Sequence, residues 1–526
     1  MGYSSVLSGI DLALCYLVLL YIAYQSASVL YNVFLSPLSA IPGPWYAAAT
    51  DIWLLYHAAQ FKQCGALHSM LQRYGPIVRV GPRKVVFCDT GAIKSVYCVN
   101  KLHKSSFYKA LVADDHDHSM TSLTNVEHAK RRRSFASHYA LAHVAGFQPD
   151  INGCITELVE LLEASPHTSL DCIHLLRHLL VDILRATVFG LSPIALKHWA
   201  SGEEDTISTA VRDFPMRAIL HSFIPTSLWN ASAYLPCRRW REIYHADSVL
   251  ATFVRARLQE LRRDALDVDA KSSDKPVPLM HRMLSQRSFG RPDGLSDQDI
   301  VSECISHLVA GVDTSTATFG FIMWELSRRP DVVQRLRTEL DQVMPDRRTI
   351  PDYTALMKQA YLTAFLNEGF RMYGAVSSFL ERTVSGKDEA SASLSQRDAF
   401  DLMGYAIPPG TVVGTQAWSV HRDPDIYPFP ETFDPERWLP ANASVEEEER
   451  LKLMSQCFMP FGAGTRACPG RHQAQLVFRI VVAAIVLNFD IHADPLETNE
   501  ETMAMRDAFA VRPASRECRL SFVPRP

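Results

Sequence analysis

Phe461-Gly462-Ala463-Gly464-Thr465-Arg466-Ala467-Cys468-Pro469-Gly470 is the stretch on which the reading of the fold turns. It fits the pattern F-x-x-G-x-R-x-C-x-G at every specified position. An apolar run with helical spacing follows, including Leu476, Val477, Ile480, Val481 and Ala484. Cys468 therefore sits where a glycine-rich loop feeds a buried helix. Backbone N–H groups and the positive end of a helix favour a thiolate over a thiol. The other ten of the eleven cysteines are scattered singly, without a C-x-x-C pair, and read as structural thiols. That distribution argues against a zinc site and a disulfide framework. An odd count suits a reducing compartment.

A thiolate held this way can be the proximal ligand of haem iron. At these residues the sequence resembles the cytochrome P-450 family, and the resemblance runs over nearly the whole chain. It implies haem b (iron protoporphyrin IX) with Cys468 as the axial iron ligand. It also implies that Arg466 pairs with a haem propionate. Phe461 would pack on the proximal face and shield the sulfur, and Gly464 and Gly470 would let the backbone approach the porphyrin. In Glu127-His128-Ala129-Lys130-Arg131-Arg132-Arg133, His128 and Arg132 hold the spacing of the family's W-x-x-x-R, with histidine in the tryptophan's place. Residues four apart share a helix face, so both are expected on a propionate. Arg382 is expected as a further propionate partner.

Ala310-Gly311-Val312-Asp313-Thr314-Ser315 matches the family's oxygen-activating motif, inside a helical run from about Ser296 to Arg329. Ser296, with Asp297 and Asp299 after it, is a plausible N-terminal cap. Gly311 is costly in mid-helix, and local opening there would make room for dioxygen beside the cofactor. Thr314 can bond back to its own helix or turn toward a ligand. By resemblance it would hold a hydrogen-bond network that Asp313 links to solvent, which is proton delivery by positioned groups. Glu368-Gly369-Phe370-Arg371 and Phe433-Asp434-Pro435-Glu436-Arg437-Trp438 match two further family signatures. Glu368, Arg371 and Arg437 would form a buried ion network that locks the core near the cysteine loop.

The chain has 526 residues, 47% hydrophobic and 21% charged, with a net charge of −4. This is an ordinary globular composition and gives no hint of a nucleic-acid partner. From Leu12 to Thr50 there is no charged side chain, and Leu12 to Leu35 is long and apolar enough to span a bilayer. Residues 1–36 are expected to be an uncleaved anchor, 37–44 with Ile41-Pro42-Gly43-Pro44 a proline-rich hinge, and 45–526 the haem-binding catalytic domain. Ile77–Pro82 and Lys84–Cys88 read as two strands joined by a Gly-Pro turn. Helical periodicity dominates from about 150 to 375, broken by an exposed connector from Asp264 to Gly294, and strand-like pieces return near 400 to 416. The fold expected is mainly α with small β-sheets, the cytochrome P-450 fold with an N-terminal transmembrane helix.

Phe214 to Pro236 is the expected access region, either dipping into a bilayer surface or packing as ordinary helix. By family position Phe107-Tyr108 to Leu111 and Ala375 to Phe379 line the pocket, and their apolar walls suggest a lipophilic substrate. The resemblance is to fungal microsomal members. It implies a monooxygenase of the endoplasmic reticulum membrane, single-pass with a cytosolic catalytic domain, served by NADPH–cytochrome P-450 reductase. A terpenoid or other secondary metabolite is the expected substrate, hydroxylated or epoxidised. Two alternatives stay open: a reductase-independent haem-thiolate isomerase or dehydratase, and a non-catalytic haem protein that binds a ligand.

Overall fold

A computed structural model describes residues 2–267, 276–288, 294–386, 399–508 and 510–526. The chain is mainly helical with small sheets, as expected, and falls into two compact units. The first comprises 1–103 and 378–420, the second 104–377 and 421–526.

The first unit begins with the helix Gly2–Leu30, which continues into a wider turn at Tyr31–Leu35. Leu14–Leu35 is long and apolar enough to cross a membrane, with mean hydropathy 1.5 and none of it buried. Proline shapes the next segment: Pro37–Ala40 makes one 3-10 turn capped by Ser36, after which the chain runs irregularly through Pro42 and Pro44. Gly43 packs so closely on the next strand that a Cβ there would stand 2.5 Å from the Arg79 carbonyl oxygen.

Strands Ile77–Gly81 and Lys84–Phe87 pair antiparallel, with Ile77 opposite Phe87 and Val78 opposite Val86. The second pairs parallel with Val412–Gly414, which in turn pairs antiparallel with Arg382–Thr383. Val78, Val80 and Val86 join Leu54, Leu67, Leu71 and Phe379 in this unit's core. Arg79 is 2% exposed within it. Its guanidinium donates to the carbonyls of Asn32 at 2.6 Å, Pro82 at 2.8 Å and Gly81 at 3.3 Å, while its own N–H donates to Pro42. One buried charge thus ties the end of the N-terminal helix and the proline connector to the sheet.

The second unit is built on the 32-residue helix Asp297–Arg328. Ser296 and Asp299 close a reciprocal capping box at its start, as the sequence suggests. It packs against Cys172–Leu184, Arg238–Asp267, Ala360–Tyr373 and the strand Ala510–Pro513. Phe319 stacks on Phe478 of the helix Arg471–Asn488, ring centroids 3.7 Å apart, and Phe370 meets the same ring edge-on. A three-stranded sheet of Leu170–Asp171, Arg519–Pro524 and Phe489–His492 lies in this unit, with the hairpin Met505–Ala508 and Ala510–Pro513. Part of the expected connector from Asp264 to Gly294 falls outside the described residues. Within them Leu279–Ser288 is a helix with Leu279, Met280 and Met283 buried, an apolar face too short to register as periodicity.

Candidate functional site: the cysteine loop and the long helix

The cysteine loop is closed by its own backbone. The Cys468 N–H donates to the Phe461 carbonyl at 2.8 Å, and a 3-10 turn at Gly464–Arg466 lies between. Gly462 and Gly464 have φ of 73° and 67°, a left-handed region where a side chain is strained. Gly470 then opens the buried helix Arg471–Asn488. Cys468 keeps exposed surface although protein crowds it. Burial pushes its thiol up. Backbone N–H groups of Gly470 and Arg471 and the charges of Arg132 and Arg471 pull the other way. The expected thiolate-favouring groups are thus present but outweighed, and a bound cation would reverse the balance, since a coordinating thiol is deprotonated outright.

Two arginines stitch this loop to the segment before and within the helix Asn125–Phe135. Arg132 donates from Nη1 to the Ala467 carbonyl at 3.1 Å. Arg466 donates to the carbonyls of Ser122, Leu123 and Thr124 at 2.7–2.9 Å and to Asn125 Oδ1 at 3.3 Å. His128 is buried on the same helix. Phe461 is half-buried, its ring edge-on to Phe370 at 5.4 Å.

The long helix is buried along most of its length, yet Ala310 is exposed and Thr314 half-exposed, one turn apart on one face. Thr314 donates its hydroxyl to the Ala310 carbonyl at 2.7 Å. Asp313 accepts two hydrogen bonds from Nη2 of Arg512, both 2.8 Å. Its negative charge also acts on Arg177, whose guanidinium burial pulls down to about 10. Gly311 has a packing role: a Cβ there would lie 2.7 Å from Leu184 Cδ1 on the neighbouring helix.

Glu368, Arg371 and Arg437 meet. Arg371 donates to both Glu368 oxygens at 2.8 Å, and Arg437 Nε donates to Oε1 at 3.0 Å. Trp438 Nε1 and the Asp434 N–H, both at 2.9 Å, add to the same carboxylate. Arg371 and Arg437 spend their remaining N–H groups on the carbonyls of His421, Pro428, Phe429 and Thr432. Arg382 belongs to the first unit, where it donates to the Glu381 carbonyl and lies over the Tyr97 ring at 4.8 Å. Arg512 and Arg471 went unrecognised in the sequence, and Trp438 was read there only within its motif, without a role on Glu368. Trp438 carried a signal as the last residue of the PERW box, whereas Arg512 reaches Asp313 only through a hairpin 199 residues away.

The family profile described as Cytochrome P450 matches residues 47–518. The chain belongs to the cytochrome P450 family. Similar proteins include a cytochrome P450 monooxygenase, cypX, of Dothistroma septosporum, 25% identical over 95% of this chain and 94% of its own length. Benzoate 4-monooxygenase bphA of Aspergillus niger is 26% identical over 91% and 94% of the two chains. Cytochrome P450 monooxygenase aflV of Aspergillus parasiticus is 26% identical over 95% and 94%.

The protein is therefore a cytochrome P450 monooxygenase, and the family's cofactor is haem iron. The residues present fit it. Cys468 offers a single sulfur, and no cluster of three or more His, Cys, Asp or Glu that could hold an ion exists among the described residues. An iron here must bring its other ligands with it, as haem does. The family generally draws on a redox partner and acts on lipophilic substrates, and the apolar N-terminal helix is compatible with a membrane anchor.

Proposed function

We propose that the protein is a membrane-anchored monooxygenase that binds haem b through Cys468, takes electrons from NADPH through NADPH–cytochrome P450 reductase, and hydroxylates or epoxidises a lipophilic small molecule. The observation that carries this reading is that one unit holds both the cysteine loop and a turn of the long helix left uncovered at Ala310 and Thr314. Residues 1–36 are the anchor, 37–44 the connector and 45–526 the catalytic region, placed at the endoplasmic reticulum with that region cytosolic. A terpenoid or other secondary metabolite is the substrate class. The apolar residues Tyr108 and Leu111 support a lipophilic ligand. Exposed Phe223, Leu228, Tyr234 and Leu235 support contact of the access region with a bilayer surface, while Phe214 and Trp229 pack inward.

Bound at Cys468, haem supplies dioxygen activation with two electrons from the reductase. The chain's own residues do the rest. Arg132 and Arg466, with His128 on the same helix as Arg132, are the proposed partners of haem propionates within the second unit. To reach a ligand, the Thr314 hydroxyl must leave the Ala310 carbonyl. To take a proton from solvent, Asp313 must loosen from Arg512. Glu368, Arg371 and Arg437 hold the shape of the loop's support and touch no substrate. Product formation from lipophilic candidates, with and without reductase and NADPH, tests the proposal. Equal turnover when both are withheld would sink the monooxygenase reading in favour of a reductase-independent isomerase.

A further inference from the structure

Eleven residues before Thr314, the long helix carries a fully buried carboxylate that the proposed chemistry leaves unused. Glu303 is 0% exposed. Its Oε1 accepts from the Ser119 N–H at 2.7 Å and its Oε2 from the Ser119 hydroxyl at 2.9 Å. Two nitrogens point at it from just beyond bonding distance: Arg131 Nη1 at 3.6 Å and His307 Nε2 at 3.8 Å. Among the described residues neither nitrogen has a hydrogen-bond partner. Two unbonded buried nitrogens around one carboxylate make a costly chamber, and a proton shared between Glu303 and His307 Nε2 would relieve the cost at the imidazole.

The chamber opens in two directions. Outward, Arg131 Nη2 pairs with Asp299 at 2.7 Å, and Asp299 bonds to the partly exposed His116 at 2.9 Å. Inward, His307 Nδ1 shares a 2.9 Å hydrogen bond with the Tyr139 hydroxyl. The Tyr139 ring lies 3.8 Å from where a Gly470 Cβ would stand, and the Gly470 N–H is one of the two, with that of Arg471, that act on the Cys468 sulfur. Burial pushes the Tyr139 hydroxyl up, and the charges of Cys468, Cys304 and Glu303 add to the rise, so this one group lies in reach of both Cys468 and Glu303.

We propose that Glu303, acting through His307 and Tyr139, is a proton-exchanging positioning residue for the cysteine loop, so that the electron affinity of a haem iron held by Cys468 depends on whether Glu303 carries a proton. The proposal rests on the reading of Cys468 as the iron ligand. An ionised Glu303 would disfavour an added electron at a haem held by Cys468; uptake of one proton by its carboxylate from a hydronium ion of the bulk solvent, forming the carboxyl O–H as a hydronium O–H breaks, would relieve that cost. Burial pushes the Glu303 carboxyl up to about 7, against the pull of Arg131 and the two Ser119 bonds, with Asp299 adding to the rise. Burial holds His307 down to about 3, with His118 and Arg132 acting in the same direction. The carboxyl, not the imidazole, is then the group that titrates near neutrality.

The test is a reductive titration of the full-length holoenzyme between about pH 6 and about pH 8. The ferrous–carbon monoxide complex is recorded first. A band near about 450 nm establishes the thiolate ligand, and its absence would overturn the Cys468 reading and this inference with it. With the band present, the midpoint potential of the wild type should fall as pH rises through about 7 and level off on either side, because an ionised Glu303 disfavours the added electron. Glu303→Gln should be flat across the same range, and Tyr139→Phe, which deletes only the hydroxyl, should show a weakened slope with the band retained. A wild-type potential independent of pH overturns the inference alone. So does an unchanged slope in Glu303→Gln. Should that variant not yield holoenzyme, an unchanged slope in Tyr139→Phe overturns the relay.

Discussion

Cys468 and Thr314 both keep accessible surface, and neither is among the buried residues of the core. Their substitution should therefore alter chemistry more than stability. Cys468→Ala should fold, with a melting temperature close to wild type, and lose the ferrous–carbon monoxide band. Thr314→Ala should keep that band while reducing equivalents are consumed several-fold faster than product forms; normal coupling would refute the proton-network role. Glu303 behaves oppositely, since its ionisation strains the folded state. A carboxyl whose folded value is raised binds a proton that the unfolded chain has already released. Its stabilising contribution is complete below the ordinary carboxylate range and lost as pH rises through about 7. Denaturant unfolding should show the wild type losing stability relative to Glu303→Gln between about pH 5 and about pH 8. A constant difference between the two would show that the carboxyl does not titrate there. Cys468, Thr314 and Asp313 were legible in the sequence because each sits in a short motif that fixes its backbone setting. Arg466's partners were not. Its guanidinium lies on three backbone carbonyls, and a carbonyl leaves no mark on residue identity.

Among the elements, the helix Ala360–Tyr373 depends most on ions. Glu368 and Arg371 are fully buried, and the carboxylate serves two arginines, an indole and a backbone N–H. Removing one member leaves the others charged and dry, a cost of about 3–5 kcal/mol. Glu368→Ala or Arg371→Ala should yield little folded holoprotein, measured as haem incorporated per chain; normal yield would show the network to be dispensable. The trio was readable as two motifs, but Trp438's indole N–H on the same carboxylate was not, because an aromatic at that place reads first as packing. The crossing of the long helix over Cys172–Leu184 makes a second demand. Gly311→Val would drive a branched side chain into Leu184 and should cost about 1–3 kcal/mol, read as a lower denaturation midpoint. Sequence marks Gly311 as an oxygen-site residue, whereas its contact is with a leucine 127 positions earlier, a pairing only the folded chain reveals.

For the whole molecule, composition and periodicity conveyed a helical protein with minor sheets and an apolar start. The division into two units was not legible, because the smaller one is assembled from both ends of a long intervening stretch, 1–103 with 378–420. Deleting residues 1–36 should move the protein from the membrane pellet to the supernatant on fractionation; persistent sedimentation at low protein concentration would place the membrane contact elsewhere. Arg79 bears on how such a deletion is made. Prolines 37 to 44 look like a swivel, yet the guanidinium of Arg79 grips the Asn32 carbonyl on one side of them and its N–H the Pro42 carbonyl on the other. The junction is a bracket. Force on the apolar helix passes into the first strand instead of dissipating in the linker, so a cut after residue 36 removes one arm of the clamp and leaves a buried cation short of an acceptor.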